Sequence, residues 1–230
     1  MSRRPALALL ALLAACQPLG RMLDPDVAQL DRYQRWRDAG DLQAIAGEPP
    51  VASCTAESPA CARLNAIRAE ACLALAMSTR APGAVCPAAT PETRQLLACA
   101  QAGFAAAMAA PAGRFTAADA LAHRRGRAQA AYCRAELETV AAGVALAREA
   151  SGLAAGLPPV ERAAIGGAAA LYLARPGAGA DAVRCERARE AARLAEAGLA
   201  AGPEAEARAM LTRLAADAAA RRATIAGCLP

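Results

Sequence analysis

No segment of this sequence alternates apolar and polar residues over the length of a strand. Apolar positions fall instead on one face of a helix, as Val27, Leu30, Tyr33 and Trp36 do in the first such segment. β-branched and aromatic residues are scarce, whereas the strong helix formers Ala, Leu, Arg and Glu dominate. The pattern therefore predicts an all-α chain.

Pro and Gly residues mark where the predicted helices begin and end. Thr90 followed by Pro91 is typical of a helix start, with Thr as the N-cap and Pro at the first helical position. The segment GEPPVASCTAESPAC is predicted to be a loop. The predicted helices cover residues 25–38, 42–46, 62–80, 91–110, 117–150, 159–175, 181–201 and 204–226.

Two helical segments resemble each other at a constant offset. AIRAEACLALAM, residues 66–77, matches AIGGAAALYLAR, residues 164–175, at six of twelve positions. Each copy leads through a Pro-Gly loop into a second, Ala-rich helix. A helical hairpin that is duplicated in this way is the unit of an α-solenoid.

The hairpins resemble those of tetratricopeptide proteins over about half of the mature chain. YQRWRDAGDLQAI, residues 33–45, has the aromatic residues, the Gly-Asp turn and the following apolar helix of such a unit. Ala191, Ala195, Gly198 and Pro203 match the small-residue and closing-Pro spacing of its second helix. The resemblance implies a short array of antiparallel helical hairpins. An irregular Ala-rich helical bundle is the alternative.

The first residues have the three zones of a secretory signal. Arg3 and Arg4 are followed by a short apolar run, residues 6–13, and then by small residues. That run is too short to cross a membrane, which takes about 20 residues. We therefore expect residues 1–15 to be a signal peptide and residues 25–230 to form a single domain.

Leu13-Ala14-Ala15-Cys16 resembles the lipobox of bacterial lipoproteins. The resemblance implies cleavage between Ala15 and Cys16 and acylation of Cys16 with fatty acids such as palmitate. Residues 16–24 would then be a lipidated tether to the membrane. Gln17, which is not Asp, favours the outer over the inner membrane. An ordinary signal peptide with an incidental Cys16 is the alternative.

Charge gives little indication of a nucleic-acid partner. The formal net charge of +5 falls to +3 once Arg3 and Arg4 leave with the signal. The sequence contains no Lys and is rich in Ala and Arg, which indicates a general compositional bias. The number of Arg residues is therefore poor evidence for phosphate binding. Aromatic residues, on which single-stranded nucleic acids stack, make up only 3% of the chain. We expect no nucleic-acid partner.

Eight cysteines remain once Cys16 is assigned to lipid. An even number in an exported chain indicates disulfides, and the absence of any C-x-x-C pair argues against zinc or redox chemistry. Helices on either side of the turn near residue 85 place Cys72 level with Cys99. Cys133 lies about 24 Å along the next helix, near the height of Cys86. The predicted pairs are Cys72–Cys99, Cys54–Cys61, Cys185–Cys228 and Cys86–Cys133.

The sequence contains no recognisable catalytic or metal-binding constellation. His123 is the only histidine and is interpreted as a solvated or capping residue, which predicts that His123→Ala leaves folding and partner binding intact. No G-x-S-x-G motif is present. Glu136 and Glu138 are two residues apart, so they diverge on a helix. We therefore expect no enzyme activity, no metal and no cofactor.

Together these observations indicate a lipid-anchored, periplasm-facing envelope lipoprotein. We expect it to act as a helical protein-interaction scaffold or assembly adaptor, with the membrane as one partner and an envelope protein as the other. The alternative is an envelope enzyme, for example one directed at peptidoglycan, with an unrecognised site.

Overall fold

A computed structural model describes residues 25–50, 54 and 58–228 of the protein. Within these residues the chain is all-helical, as the sequence predicts, and contains no strand. The helices are α1 (Pro25–Asp38), α2 (Leu42–Gly47), α3 (Pro59–Met77), α4 (Pro91–Met108), α5 (Ala117–Leu137), α6 (Val140–Ala154), α7 (residues 159–173), α8 (Asp181–Ala200) and α9 (Ala205–Ala223). The predicted lipidation and cleavage residues, Ala15 and Cys16, lie outside the described residues.

Side-chain caps fix several of the helix starts. Thr90 accepts a hydrogen bond from the backbone N–H of Thr93, with Pro91 as the first residue of α4, as the sequence indicates. Ser58 caps α3 in the same way, so this helix begins three residues earlier than predicted. Thr116 and Asp119 form a reciprocal capping box at the start of α5.

The segment 117–150, predicted as one long helical region, is divided between α5 and α6. Glu138 is extended, and the Thr139 hydroxyl accepts a hydrogen bond from the Ala142 N–H to begin α6. At the end of α5 the Leu137 carbonyl accepts a hydrogen bond from the Arg94 side chain. The break is therefore stabilised partly by a residue of α4, which lies far away in the sequence.

Helix α7 contains a wider, π-helical segment over Arg162–Gly167. Its two glycines lie against α8 and α9, and a Cβ at Gly167 would come within 2.7 Å of Leu214 Cδ2. The absence of side chains at this point allows three helices to meet closely.

Consecutive helices from α3 onward run antiparallel. In the first such pair Gly103 of α4 packs on Ala69 of α3, while Cys99 is bonded to Cys72. Later residues of one helix therefore meet earlier residues of the next. The chain reverses direction at every loop, as expected for an array of helical hairpins, although the α3–α4 loop is long and covers residues 78–90.

Helices two apart run parallel and also touch. Glu70 and Met77 of α3 lie beside His123 and Gln129 of α5, respectively. The odd-numbered helices α1, α3, α5, α7 and α9 contact one another in this order. We call this row of parallel helices the inner layer, because the cavities described below open on it.

The core is built mainly from the small side chains of alanine residues. Its largest cluster joins α3 to α7 and is filled out by a few larger side chains, among them Leu97, Phe104 and Tyr172. Ala191, Ala195 and Gly198, which match the tetratricopeptide spacing, are all buried in α8. A Cβ at Gly198 would lie 2.5 Å from the Ala163 Cβ, so this position permits close packing of α8 on α7.

The eight cysteines of the described chain form four pairs at bonding distance, in the predicted combination. The S–S distances lie between 2.01 and 2.16 Å. Cys54–Cys61 closes a small loop before α3, and Cys72–Cys99 joins α3 to α4. Cys185–Cys228 fastens the end of the chain to α8. Cys86–Cys133 joins the α3–α4 loop to α5.

Candidate functional site

A groove opens on the inner layer, between α7 and α9. One wall is the α3–α4 loop, residues 80–86, which Cys86–Cys133 holds against α5. We call this feature the α9 groove. Its central cavity has a volume of about 260 Å³. The lining residues are Gly83, Ala84, Val85, Tyr132, Glu136, Ala164, Ala168, Leu171, Tyr172, Arg175, Met210, Arg213, Leu214 and Asp217.

Two further cavities extend the α9 groove along its helix. One of about 230 Å³ lies between Arg80 of the loop and Glu204 and Glu206 at the start of α9. The other, about 420 Å³, reaches Arg221 and Thr224 at the end of α9. From residue 204 to 224, at about 1.5 Å per residue, the groove is about 30 Å long.

The centre of the groove holds an organised polar cluster. Arg175 donates to both carboxylate oxygens of Glu136, at 2.8 and 2.6 Å, and its guanidinium lies 4.3 Å from the centre of the Tyr172 ring. The Tyr132 hydroxyl donates to Glu136 at 2.8 Å. Glu136 is therefore held by two donors, Tyr132 of its own helix and Arg175 just beyond the end of α7, and sequence reasoning considered it only as one member of a diverging pair.

Both tyrosines of this cluster stay protonated at neutral pH. Burial, reinforced by the nearby Glu136 carboxylate, raises the pKa of Tyr132 well above its usual value of 10.0. Burial also raises the pKa of Tyr172, although the Arg175 guanidinium opposes this shift. The phenols can donate hydrogen bonds here but cannot serve as bases.

The floor of the groove is apolar. Leu171 and Met210 are only half-buried, while Ala164 and Ala168 present small side chains on the same face of α7. Small residues at this spacing allow an occupant to approach the backbone of α7 closely. The groove thus combines a shallow apolar floor with charged rims, as polypeptide-binding grooves do.

A second cavity, of about 270 Å³, lies between α1, α3 and α5. It contains His123, and the interpretation of this residue as solvated is wrong: only 3% of His123 is exposed. The ring packs edge-on against Phe115, with centroids 4.6 Å apart, and its Nε2 lies 3.9 Å from Glu70 Oε1. We call this feature the His123 cavity.

The electrostatics of the His123 cavity follow from burial. Desolvation lowers the pKa of His123, against the opposing effect of the Asp119 carboxylate. Desolvation also raises the pKa of Glu70, although Arg37 acts in the opposite direction. The i,i+4 spacing of Asp119 and His123 was the only signal in the sequence that could have suggested this cluster.

Among the described residues no group of His, Cys, Asp and Glu side chains is arranged to hold a metal ion. The same part of the chain contains no helix long and apolar enough to cross a membrane. No known family model, curated protein or solved structure matches the chain significantly. The α9 groove, the His123 cavity and the sequence are therefore the features that indicate a function.

Proposed function

We propose that this protein is a lipid-anchored envelope lipoprotein that acts as a protein-interaction scaffold. The α9 groove is the observation that carries the proposal. It is about 30 Å long, has exposed apolar surface at Leu171 and Met210, and is lined by charges of both signs. These properties suit a polypeptide segment from a partner protein better than a small substrate.

Two features support placing this scaffold in the cell envelope. The Leu13-Ala14-Ala15-Cys16 sequence supports acylation of Cys16 and thereby a membrane anchor. The four disulfides support an oxidising compartment, because thiols stay reduced in the cytosol. The tetratricopeptide-like character of the hairpins belongs to the same proposal, since such arrays present a concave surface to partners.

Site-specific photocrosslinking in cells tests the scaffold. A photoreactive residue at Ala220, which is exposed in the α9 groove, should give a discrete adduct with an envelope protein. Met210→Glu places a charge on the apolar floor and should abolish this adduct.

Val183→Glu is the matched control, because Val183 is an exposed apolar residue of α8 that does not line the groove. It should leave the adduct intact. If Met210→Glu retains the adduct, or if Val183→Glu abolishes it equally, the α9 groove is not the binding surface.

The second candidate is an envelope enzyme, for example one acting on peptidoglycan. The specific observation in its favour is the buried His123 beside Glu70 in a cavity. Hydrolysis of a peptidoglycan preparation by the purified protein, abolished by His123→Gln in a folded variant, would favour this candidate over the scaffold.

A further inference from the structure

The His123 cavity contains cations that no described residue neutralises by direct contact. Arg37 of α1 and Arg63 of α3 line it, and neither guanidinium forms an ion pair or hydrogen bond within the described chain. This contrasts with Arg127 and Arg175, which bind Glu149 and Glu136, respectively, at 2.6 Å. The cavity therefore retains unused capacity to bind a carboxylate.

The hydrogen-bonding groups of the histidine in this cavity are also not all paired. His123 is almost fully buried, yet its Nδ1 has no hydrogen-bond partner, and its Nε2 is too far from Glu70 for a good hydrogen bond. The rings of Phe115 and Phe104 pack against the imidazole, with centroids 4.6 and 5.8 Å away, respectively. Buried polar atoms are normally paired, so His123, which lines the cavity, has unmet hydrogen-bonding capacity.

The cavity also contains two carboxylates, each near one of the arginines. The Arg37 guanidinium acts to lower the pKa of Glu70, and the Arg63 guanidinium acts to lower the pKa of Asp119. The members of each pair face the same cavity without forming an ion pair. A simple anion would be repelled by the carboxylates, and a simple cation by the guanidinium groups.

We propose that the His123 cavity binds a small zwitterion of the α-amino acid class. The ligand carboxylate binds Arg37 of α1, and its ammonium group binds Glu70 of α3. His123 Nε2, which lies 3.9 Å from Glu70 Oε1, supplies the remaining hydrogen bond to the ligand. The side chain of the ligand extends along α3 towards Arg63 and Asp119.

The size of the cavity agrees with a ligand of this kind. Its volume of about 270 Å³ lies just below the range of about 300–1,000 Å³ that holds drug-sized molecules. Arg63 and Glu70 are seven residues apart on α3, which corresponds to about 10 Å. This distance accommodates an amino acid but not a folded polypeptide. The site is separate from the α9 groove. A negative result for amino-acid binding would therefore leave the proposed scaffold function unaffected, and the reverse is also true.

The single histidine provides a direct test. In a ¹⁵N NMR spectrum the imidazole nitrogens of His123 are the only ones present in the protein. Glycine and glutamate at millimolar concentration are expected to shift these resonances saturably. Acetate and methylammonium, which each carry only one of the two charges, are expected to produce no saturable shift.

Variants locate the ligand. Arg37→Gln and Glu70→Gln should each weaken glycine binding at least tenfold, because each removes one of the two charged contacts. Both side chains are substantially exposed, so neither substitution should prevent folding. Arg213→Gln in the α9 groove is the matched control and should bind glycine normally.

Three results would overturn the proposal. The first is the absence of any saturable shift with either amino acid. The second is a shift with acetate equal to that with glycine, which would identify a simple anion site. The third is glycine binding that survives both Arg37→Gln and Glu70→Gln.

Discussion

Gly103 lies where α4 crosses α3 with no space between them. A Cβ at this position would come within 2.8 Å of the Asn65 carbonyl oxygen and 2.9 Å of the Ala69 Cβ. Because one of these atoms belongs to the backbone, the neighbour cannot simply rotate away. Gly103→Ala is therefore expected to destabilise the protein by roughly 1–2 kcal/mol, since overpacking outweighs the gain in helix propensity.

Gly152 provides the matched comparison for Gly103. It also lies in a helix, but nothing is within 4 Å of its hypothetical Cβ. Gly152→Ala should stabilise the protein by about 0.5–1 kcal/mol. Denaturant unfolding of both variants measures the two effects, and equal effects on the free energy of unfolding would contradict the predicted close packing at Gly103.

His123 should make stability depend on pH. Burial lowers its pKa below the ordinary value of 6.5 in the folded state. As the pH falls below about 6.5, the unfolded chain therefore takes up a proton that the folded chain does not, and the free energy of unfolding decreases. Glu70, whose pKa is raised above 4.5, acts in the opposite direction at lower pH.

His123→Gln isolates the contribution of the histidine. Between about pH 7.5 and about pH 5.5 the variant should lose less stability than the parent protein, measured by urea unfolding at each pH. Parallel pH profiles would show that His123 is not desolvated. Because the ring is buried, His123→Ala should cost roughly 1–3 kcal/mol, in contrast to the dispensable role expected of a solvated residue.

Two of the disulfides close loops of similar length, so their removal should release similar amounts of chain entropy. They can therefore be compared to test the role of the α3–α4 loop. Cys86–Cys133 and Cys185–Cys228 span similar separations, 47 and 43 residues. Replacing both cysteines of either pair by serine should therefore cost about 4 kcal/mol in each case, according to the loop-entropy relation. Only the first pair holds a wall of the α9 groove.

Hydrogen exchange distinguishes the two disulfides. Loss of Cys86–Cys133 should accelerate amide exchange in residues 80–86, whereas loss of Cys185–Cys228 should leave this loop protected as in the parent protein. Equal protection of the loop in both variants would mean that packing of Val85, rather than the disulfide, holds the wall in place.

The locally capped start of α4 was predictable from the sequence, those of α3 at Ser58 and α6 at Thr139 were missed, and boundaries set by distant contacts were not predictable. Thr90-Pro91 identified the start of α4 because the capping residues are adjacent in the chain. The break after Leu137 was missed because no Gly or Pro marks it and Arg94 of another helix supports it. His123 and the α9 groove were missed for the same reason, since their environments come from three helices and a loop.

For the molecule as a whole, the proposed membrane anchor can be tested directly. Metabolic labelling with a fatty acid should tag the parent protein at Cys16, because its thiol is the expected acylation site. Cys16→Ser should remain unlabelled, while a serine substitution at Cys228 should label normally. Labelling that persists in Cys16→Ser would contradict the lipoprotein prediction.

The parallel direction of neighbouring inner-layer helices aligns their backbone dipoles. Each helix carries about half a positive charge at its amino end and half a negative charge at its carboxyl end. α7 and α9 run parallel along the groove, because Ala163 packs in one cluster with Leu211 and Ala170 in another with Ala218. Glu204 and Glu206 at the amino end of α9 and Arg221 at its carboxyl end carry full charges that are opposite in sign to these partial charges. The side chains at the two ends of the α9 groove therefore offset the polarity that the helix direction alone would give it.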